Sequence, residues 1–153
     1  MKELDKTDRK IIQILQNNSD LNTKQVAAQL DLTTTPVYER IKRLEREGVI
    51  EKYVAKVNAK KLGLNLLIYT HVSLKEHTKE FLANFERQVV SIDAVIECHH
   101  VSGEHDYLLK VLVKNMDDYR DFLTERLSKI KNIGNVHSSF VVSEIKKDGI
   151  YHN

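Results

Sequence analysis

The sequence predicts an α+β chain in two parts, a small all-helical part followed by a larger part in which strands and helices alternate. Three observations carry that expectation. Apolar residues recur with a helical period through the first 50 residues, whereas every long β-like run lies beyond residue 63. Charge divides at the same place: residues 1–61 hold 13 Lys plus Arg against 9 Asp plus Glu, and 62–153 hold 11 against 13. All seven histidines also fall in the second part. We therefore expect a helical domain over 1–50, a strand-like linker over 51–63, an α+β domain over 64–145 and a tail over 146–153.

With 153 residues, 41% of them hydrophobic, the chain can bury one core or two small ones. No apolar run approaches the roughly 18 to 20 residues that cross a bilayer, and "MKELDKTDRK" lacks the apolar stretch of a signal peptide. A cytoplasmic protein is expected. Cys98 stands alone in the sequence, so it has no intrachain disulfide partner and reads as a small buried hydrophobe.

The first helix opens at Asp5, a capping residue with Asp8 three positions on, and Ile11, Ile12 and Leu15 give it an apolar stripe. Asn22 followed by Gln25 forms a capping-box variant ahead of "TKQVAAQL", where Val26, Ala27 and Leu30 share a side. "DLT" turns the chain. Thr33 or Thr35 then caps a third helix, whose Pro36 is tolerated because first-turn amides lack intrahelical acceptors.

On a wheel of 100° per residue, Val37, Ile41 and Leu44 of the third helix fall together and Gly48 ends it. Thr35, Tyr38, Glu39, Lys42, Arg43 and Arg46 fall across from them, with Arg40 at the edge of the buried side. By itself such a face is equally a solvated one. A short helix and tight turn ahead of it make a helix-turn-helix, winged-helix-like unit, in which the second element enters the major groove of DNA. Small hydroxyls at its start can then reach bases or phosphates while Arg and Lys neutralise the backbone.

"GVIEKYVAKVNAKKLG" reads as an extended connector with alternating Tyr53, Ala55 and Val57. Its Lys52 and Lys56 suit an edge strand protected against aggregation better than a phosphate contact. The second part then runs strand, helix, strand, twice. "NLLIYTHVSL", "AVIECHHVSG", "YLLKVLV" and "VHSSFVVSEI" are the strands. "TKEFLANFERQV" turns Phe81, Leu82 and Phe85 inward, and "MDDYRDFLTERLSKI" does the same with Tyr119, Phe122, Leu123, Leu127 and Ile130. Split βαβ units with both helices on one face give a ferredoxin-like βαββαβ sandwich. Its other face, with Leu67, Tyr69, Leu108 and Val141 outward, calls for a partner, most simply a second copy.

"LDKTDRKIIQILQ", "TTTPVYERIKRLEREGVI" and "VSGEHDYLLKV" resemble the leucine-responsive regulatory protein (Lrp)/AsnC family of transcription factors, over nearly the whole chain. The resemblance implies double-stranded DNA as partner, dimers that assemble further, often to octamers, and control by a small effector, usually an amino acid. It assigns DNA reading to Thr33, Thr34, Thr35, Tyr38, Lys42, Arg43 and Arg46. Arg40 matches an arginine of the family motif, but the wheel favours a structural pairing for it. The family's effector loop corresponds to Ser102, Gly103, Glu104, His105 and Asp106. That loop also reads simply as a polar hairpin turn with Gly103 supplying an unusual backbone angle.

"VHSS" matches the family segment that reaches the effector pocket from across the subunit interface. His137 and Ser139 share a strand face there, so both can line the pocket, and His137 favours a polar effector such as glutamine. An interface hydrogen bond is the alternative role for His137. His99 and His100 point to opposite strand faces and cannot readily share a metal ion. No metal and no cofactor are expected, and no phosphate loop or nucleophilic triad stands out. Chains resembling this family include decarboxylases of a haem precursor, and His71, His99, His100 and His105 keep that enzyme alternative open. An architectural DNA-binding protein without effector is another alternative; the well-formed basic face favours the non-enzymatic regulator.

Overall fold

The computed structural model describes residues 3–147 and divides into two compact units, the first running to Lys56 and the second spanning Val57–Glu144. In the first unit α1 is Lys6–Asn17, α2 Thr23–Gln29 and α3 Thr34–Arg46. The capping box expected at α2 forms, and the Asp5 cap at α1 proves to be a reciprocal box with Asp8 as well. The Asp8 amide donates to Asp5 Oδ1 at 2.9 Å and the Asp5 amide to Asp8 Oδ2 at 3.2 Å. Asn22 and Gln25 exchange the same pair of bonds at the start of α2. Ile11, Leu15, Val26, Ala27, Val37, Ile41 and Leu44 close one small core.

The turn between α2 and α3 depends on Asp31, whose φ of 54° lies in the left-handed region, while the Leu32 amide returns to the Ala27 carbonyl at 3.1 Å. Short polar side chains tolerate that region and β-branched ones do not. Asp31→Val is expected to cost about 1 to 2 kcal/mol in urea melts, whereas Asp31→Gly should be neutral or better. At the other end of α3, Gly48 adopts φ 72°, its amide donating to the Glu45 carbonyl and the Val49 amide to that of Leu44. This paired closure stops the helix.

Residues 51–58, expected to be a strand-like linker, form no strand. No neighbouring strand offers a ladder there, so Tyr53, Val54 and Val57 stay exposed. A 3₁₀ turn, Ala59–Leu62, follows, capped by the Asn58 side chain and closed by Gly63 at φ 79°. The expected tail, 146–153, lies outside the described residues from 148 onward.

The second unit holds β1 Leu66–Leu74, α4 Lys79–Val89, β2 Val95–His100, β3 Tyr107–Val113, α5 Met116–Asp121 and β4 Ile133–Phe140. The sheet is antiparallel in the order β2-β3-β1-β4, the arrangement of a ferredoxin-like sandwich. β4 begins three residues earlier than the apolar run indicated, and Val141 adds one further bond, from its amide to the Leu67 carbonyl. The helix after β3 is not uniformly α: beyond α5 a π-helical stretch, Phe122–Arg126, and a 3₁₀ turn, Leu127–Lys129, continue it.

One face of the sheet, Ile68, Val72, Leu109 and Val111, packs with Phe85 and Val89 of α4 and with Tyr119, Phe122, Leu127 and Ile130. Phe81 is only half-buried and lies outside that core, so Val89 completes the inner stripe of α4 in its place. Buried Thr70 bonds the Tyr119 hydroxyl at 3.0 Å, and that hydroxyl also meets Ser138, which ties α5 to β1 and β4. Across the sheet, Leu67, Tyr69, His71, Leu108 and Leu112 are half-buried on a face that no helix covers.

Candidate functional site

The exposed side of α3 carries Thr34, Thr35, Tyr38, Glu39, Lys42 and Arg46, with Thr33 at the N-cap position. Thr33 makes no side-chain capping bond, so the first amides of α3 retain their unsatisfied, positively polarised ends. That is a place for a phosphate oxygen. Lys42 Nζ lies 5.9 Å from the Tyr38 ring centroid and pairs with Glu45 at 2.6 Å; Glu45 also accepts from the Tyr53 hydroxyl at 3.0 Å. Arg46 is exposed at the end of the helix.

Arg43 corrects the wheel. Its side chain is only 17% exposed and points back to α1, where Nη2 stands 2.6 Å from Oδ2 of the buried Asp8. The contact is a charge pairing without hydrogen-bond alignment, since Arg43 Nε and Nη2 have no hydrogen-bond partner among the described residues. Arg40, expected to pair structurally, bridges Asp5 at 2.6 Å and Asp8 at 2.7 Å. The wheel treated the helix as isolated, and a long guanidinium stem can reach round to a carboxylate held in the core. Asp8 is thus the residue that sequence reasoning left as a helix cap only. Its signal was an acid at the third helical position facing two arginines three residues apart.

These pairs set an acid limit on the first unit. The Asp8 amide and the Arg40 guanidinium hold the Asp5 carboxyl down to about 2. Burial pushes Asp8 up, but Arg40, Arg43 and the Asp5 amide together keep it below its ordinary value. Both carboxyls are therefore lower in the folded state than in the unfolded one. Their stabilisation is complete above about pH 4, the ordinary carboxylate value, and is lost as pH falls through the folded values, toward 2 for Asp5. Thermal melts between pH 5 and 2 should show the helical unit losing stability across that window, and Asp5→Asn should flatten the loss.

In the second unit the connection 101–106 joins β2 to β3 and is closed by the Val101 amide on the Asp106 carbonyl at 2.8 Å. Ser102, Gly103 and Glu104 are exposed; Gly103 has φ 126°, which favours glycine, with open space where a Cβ would stand. Asp106 is committed on both oxygens: Oδ2 accepts from the Leu74 amide at 2.7 Å and Oδ1 lies 2.9 Å from His77 Nε2. Burial raises its carboxyl, and those two bonds bring it below the ordinary value. Its first role is to fasten the loop to β1.

His105 Nδ1 lies 3.1 Å from Ser73 Oγ. His71 and His137 are register partners on β1 and β4, and Ser139, opposite Tyr69, follows on the same face. Of the sequence-predicted residues, His105 of the loop and His137 of β4 therefore come together within one chain, with His71 beside them. His71 could have been assigned to this group from alternation alone, because Thr70 and Val72 on either side belong to the buried face. His100 turns the other way and stacks on Tyr107, while His99 sits beside Glu97, so the four histidines of the enzyme alternative do not converge. Among the described residues no three His, Cys, Asp or Glu side chains are disposed to hold a metal ion, and no helix is long and apolar enough to cross a membrane.

A helix-turn-helix unit with a basic exposed helix, followed by an open-faced ferredoxin-like unit with a polar loop-and-strand cluster, defines a DNA-binding regulator with a ligand-binding domain. Residues 4–51 match the winged helix-turn-helix DNA-binding family and residues 67–151 the Lrp/AsnC ligand binding domain. The chain belongs to the Lrp/AsnC family of transcriptional regulators. It is 33% identical over 145 residues, 95% of each chain, to the Bkd operon transcriptional regulator of Pseudomonas aeruginosa. It is 34% identical over 146 residues to the leucine-responsive regulatory protein of Escherichia coli, covering 95% of this chain and 89% of that one.

Among solved structures, an AsnC family regulator from Agrobacterium tumefaciens superposes with a TM-score of 0.93 at 33% identity over 97% of both chains. A transcriptional regulator of Neisseria meningitidis, crystallised as its L-Met complex, superposes with a TM-score of 0.91 at 32% identity over 95% of this chain and 94% of that one. The named relatives are regulators, and this chain is a regulator with them.

Proposed function

We propose that this regulator works in the cytoplasm as a homodimer joined through the open sheet face, assembling further to an octamer or another higher oligomer. Paired α3 helices then enter successive major-groove segments of double-stranded DNA. Thr33, Thr34, Thr35 and Tyr38 meet bases and nearby phosphates, Lys42 and Arg46 neutralise the backbone, and Arg43 contributes by holding α3 against α1. The observation that carries this reading is the exposed, uncapped and basic side of α3, set on a helix whose other side is fully used by the core.

The same proposal gives the loop 102–106, with His137 and Ser139, to an amino-acid effector with a polar end group, glutamine being one example. The amino-acid class is supported by the L-Met bound to the Neisseria relative. Gly103 leaves backbone groups open to a zwitterion, and Asp106 shapes the loop that presents them. Binding would favour one assembly over another with a coupling of about 1 to 3 kcal/mol.

The test is a melting series of the purified protein against each common amino acid at millimolar concentration, combined with light-scattering mass. A ligand that binds only the folded state raises the midpoint. A rise with one or two amino acids and a shift in mass distribution are expected. No rise with any of them would leave a DNA-binding protein that needs no amino-acid effector.

A further inference from the structure

Three imidazoles crowd one end of the uncovered sheet face. Ring centroids lie 4.9 Å apart for His71 and His105, 6.2 Å for His71 and His137, and 6.4 Å for His105 and His137. They come from β1, the β2–β3 connection and β4, so the topology and not local sequence brings them together. Ser73 Oγ engages His105 Nδ1 and leaves Nε2 of that ring for another partner.

Most charged groups around the set are already matched. Lys110 of β3 pairs with Glu97 of β2 at 2.7 Å, and His99 lies 3.5 Å from the same carboxylate. Asp106 is held by the Leu74 amide and His77, and Glu104 is exposed in the loop. Charges on imidazoles this close would repel one another, and an anion among them offsets that repulsion. Neutral, they remain polar groups whose desolvation by an aliphatic side chain is unfavourable.

We propose that His71, His105 and His137 receive the effector's side chain and select an amino acid ending in a carboxylate, taking up a proton as it binds. The inference rests on the amino-acid-sensing reading above and narrows its polar end group. A carboxylate accepts hydrogen bonds from each ring and favours their charged form. An amide end would be held by neutral rings with no proton gained, and a thioether or branched chain would leave the rings unpaired.

Titration calorimetry of the full chain with glutamate, aspartate, glutamine, leucine and methionine, in buffers of different ionisation enthalpy, decides it. Glutamate or aspartate should bind with net uptake of up to about one proton, and the affinity should therefore fall as pH rises. His71→Gln and His137→Gln should each weaken the acid at least tenfold and flatten its pH dependence. His137 is exposed, so folding of that variant stays readable by melting without ligand.

Binding of the acid without proton uptake, or undiminished in both variants, overturns the proposal. So does binding of glutamine, leucine or methionine in preference to the acids, an outcome that leaves amino-acid sensing intact. Absence of binding by any amino acid removes the sensing reading itself and this inference with it.

Discussion

Asp8→Ala is expected to unfold the helical unit and abolish DNA binding while Val57–Glu144 keeps its fold. The Asp8 side chain is 1% exposed and is the shared counter-charge of Arg40 and Arg43. Removing it strips the mostly buried Arg43 of its carboxylate, while Arg40 keeps Asp5, and breaking a buried pair costs up to about 3 to 5 kcal/mol. The variant also loses the reciprocal half of the α1 capping box, worth about 1 kcal/mol more. A unit of some 50 residues has only about 3 to 8 kcal/mol of stability in total, so the substitution removes most of it.

Amide NMR spectra make the outcome readable by unit. Resonances from α1 to α3 should collapse toward random-coil positions while those of the sheet stay dispersed. A variant that melts like the parent and still binds DNA would show that the two arginines find other partners. Arg43→Ala should lose DNA affinity by the same route, through a loosened α3 rather than a missing phosphate partner. Its salt dependence, measured on the folded fraction, should match that of the parent.

The contrast between Arg43 and Arg46 marks where the sequence is legible. Period located α1, α2 and α3, and the starts of α1 and α2 rest on side chains three residues from the amides they satisfy, whereas α3 has no such bond. The strand–helix alternation likewise gave the ferredoxin-like order, since inward positions repeat every second residue on β1 and β3. Facts set by contacts between elements stayed hidden. The direction taken by Arg43 depends on a carboxylate in another helix, that of Asp8. The grouping of His71 with His105 and His137 depends on strand order, and residues 51–58 lacked the neighbour that a strand requires. The start of β4 at Ile133 was missed for a similar reason. Gly134 and Asn135 carry no apolar signal, yet Asn135 pairs with Ser73, and a Cβ at Gly134 would stand 3.1 Å from the Ser73 carbonyl oxygen.

Replacing Lys42 and Arg46 together by alanine should reduce DNA affinity by about ten- to hundredfold at moderate salt and lower the salt slope by roughly 0.9 for each phosphate left without its cation. The fold should hold, because both side chains are exposed and alanine is a good helix former. The two residues are not equivalent. Lys42 is already paired with Glu45 at 2.6 Å, which raises its own pKa and lowers that of the carboxylate, so part of its charge is answered within the helix. Arg46→Ala alone should therefore take the larger share of the loss, and Glu45→Gln should increase affinity by freeing Lys42 and removing a negative charge beside the DNA. If Glu45→Gln weakens binding instead, Glu45 acts as a positioning residue that aims Lys42, and the Lys42→Ala loss should then equal or exceed that of Arg46→Ala.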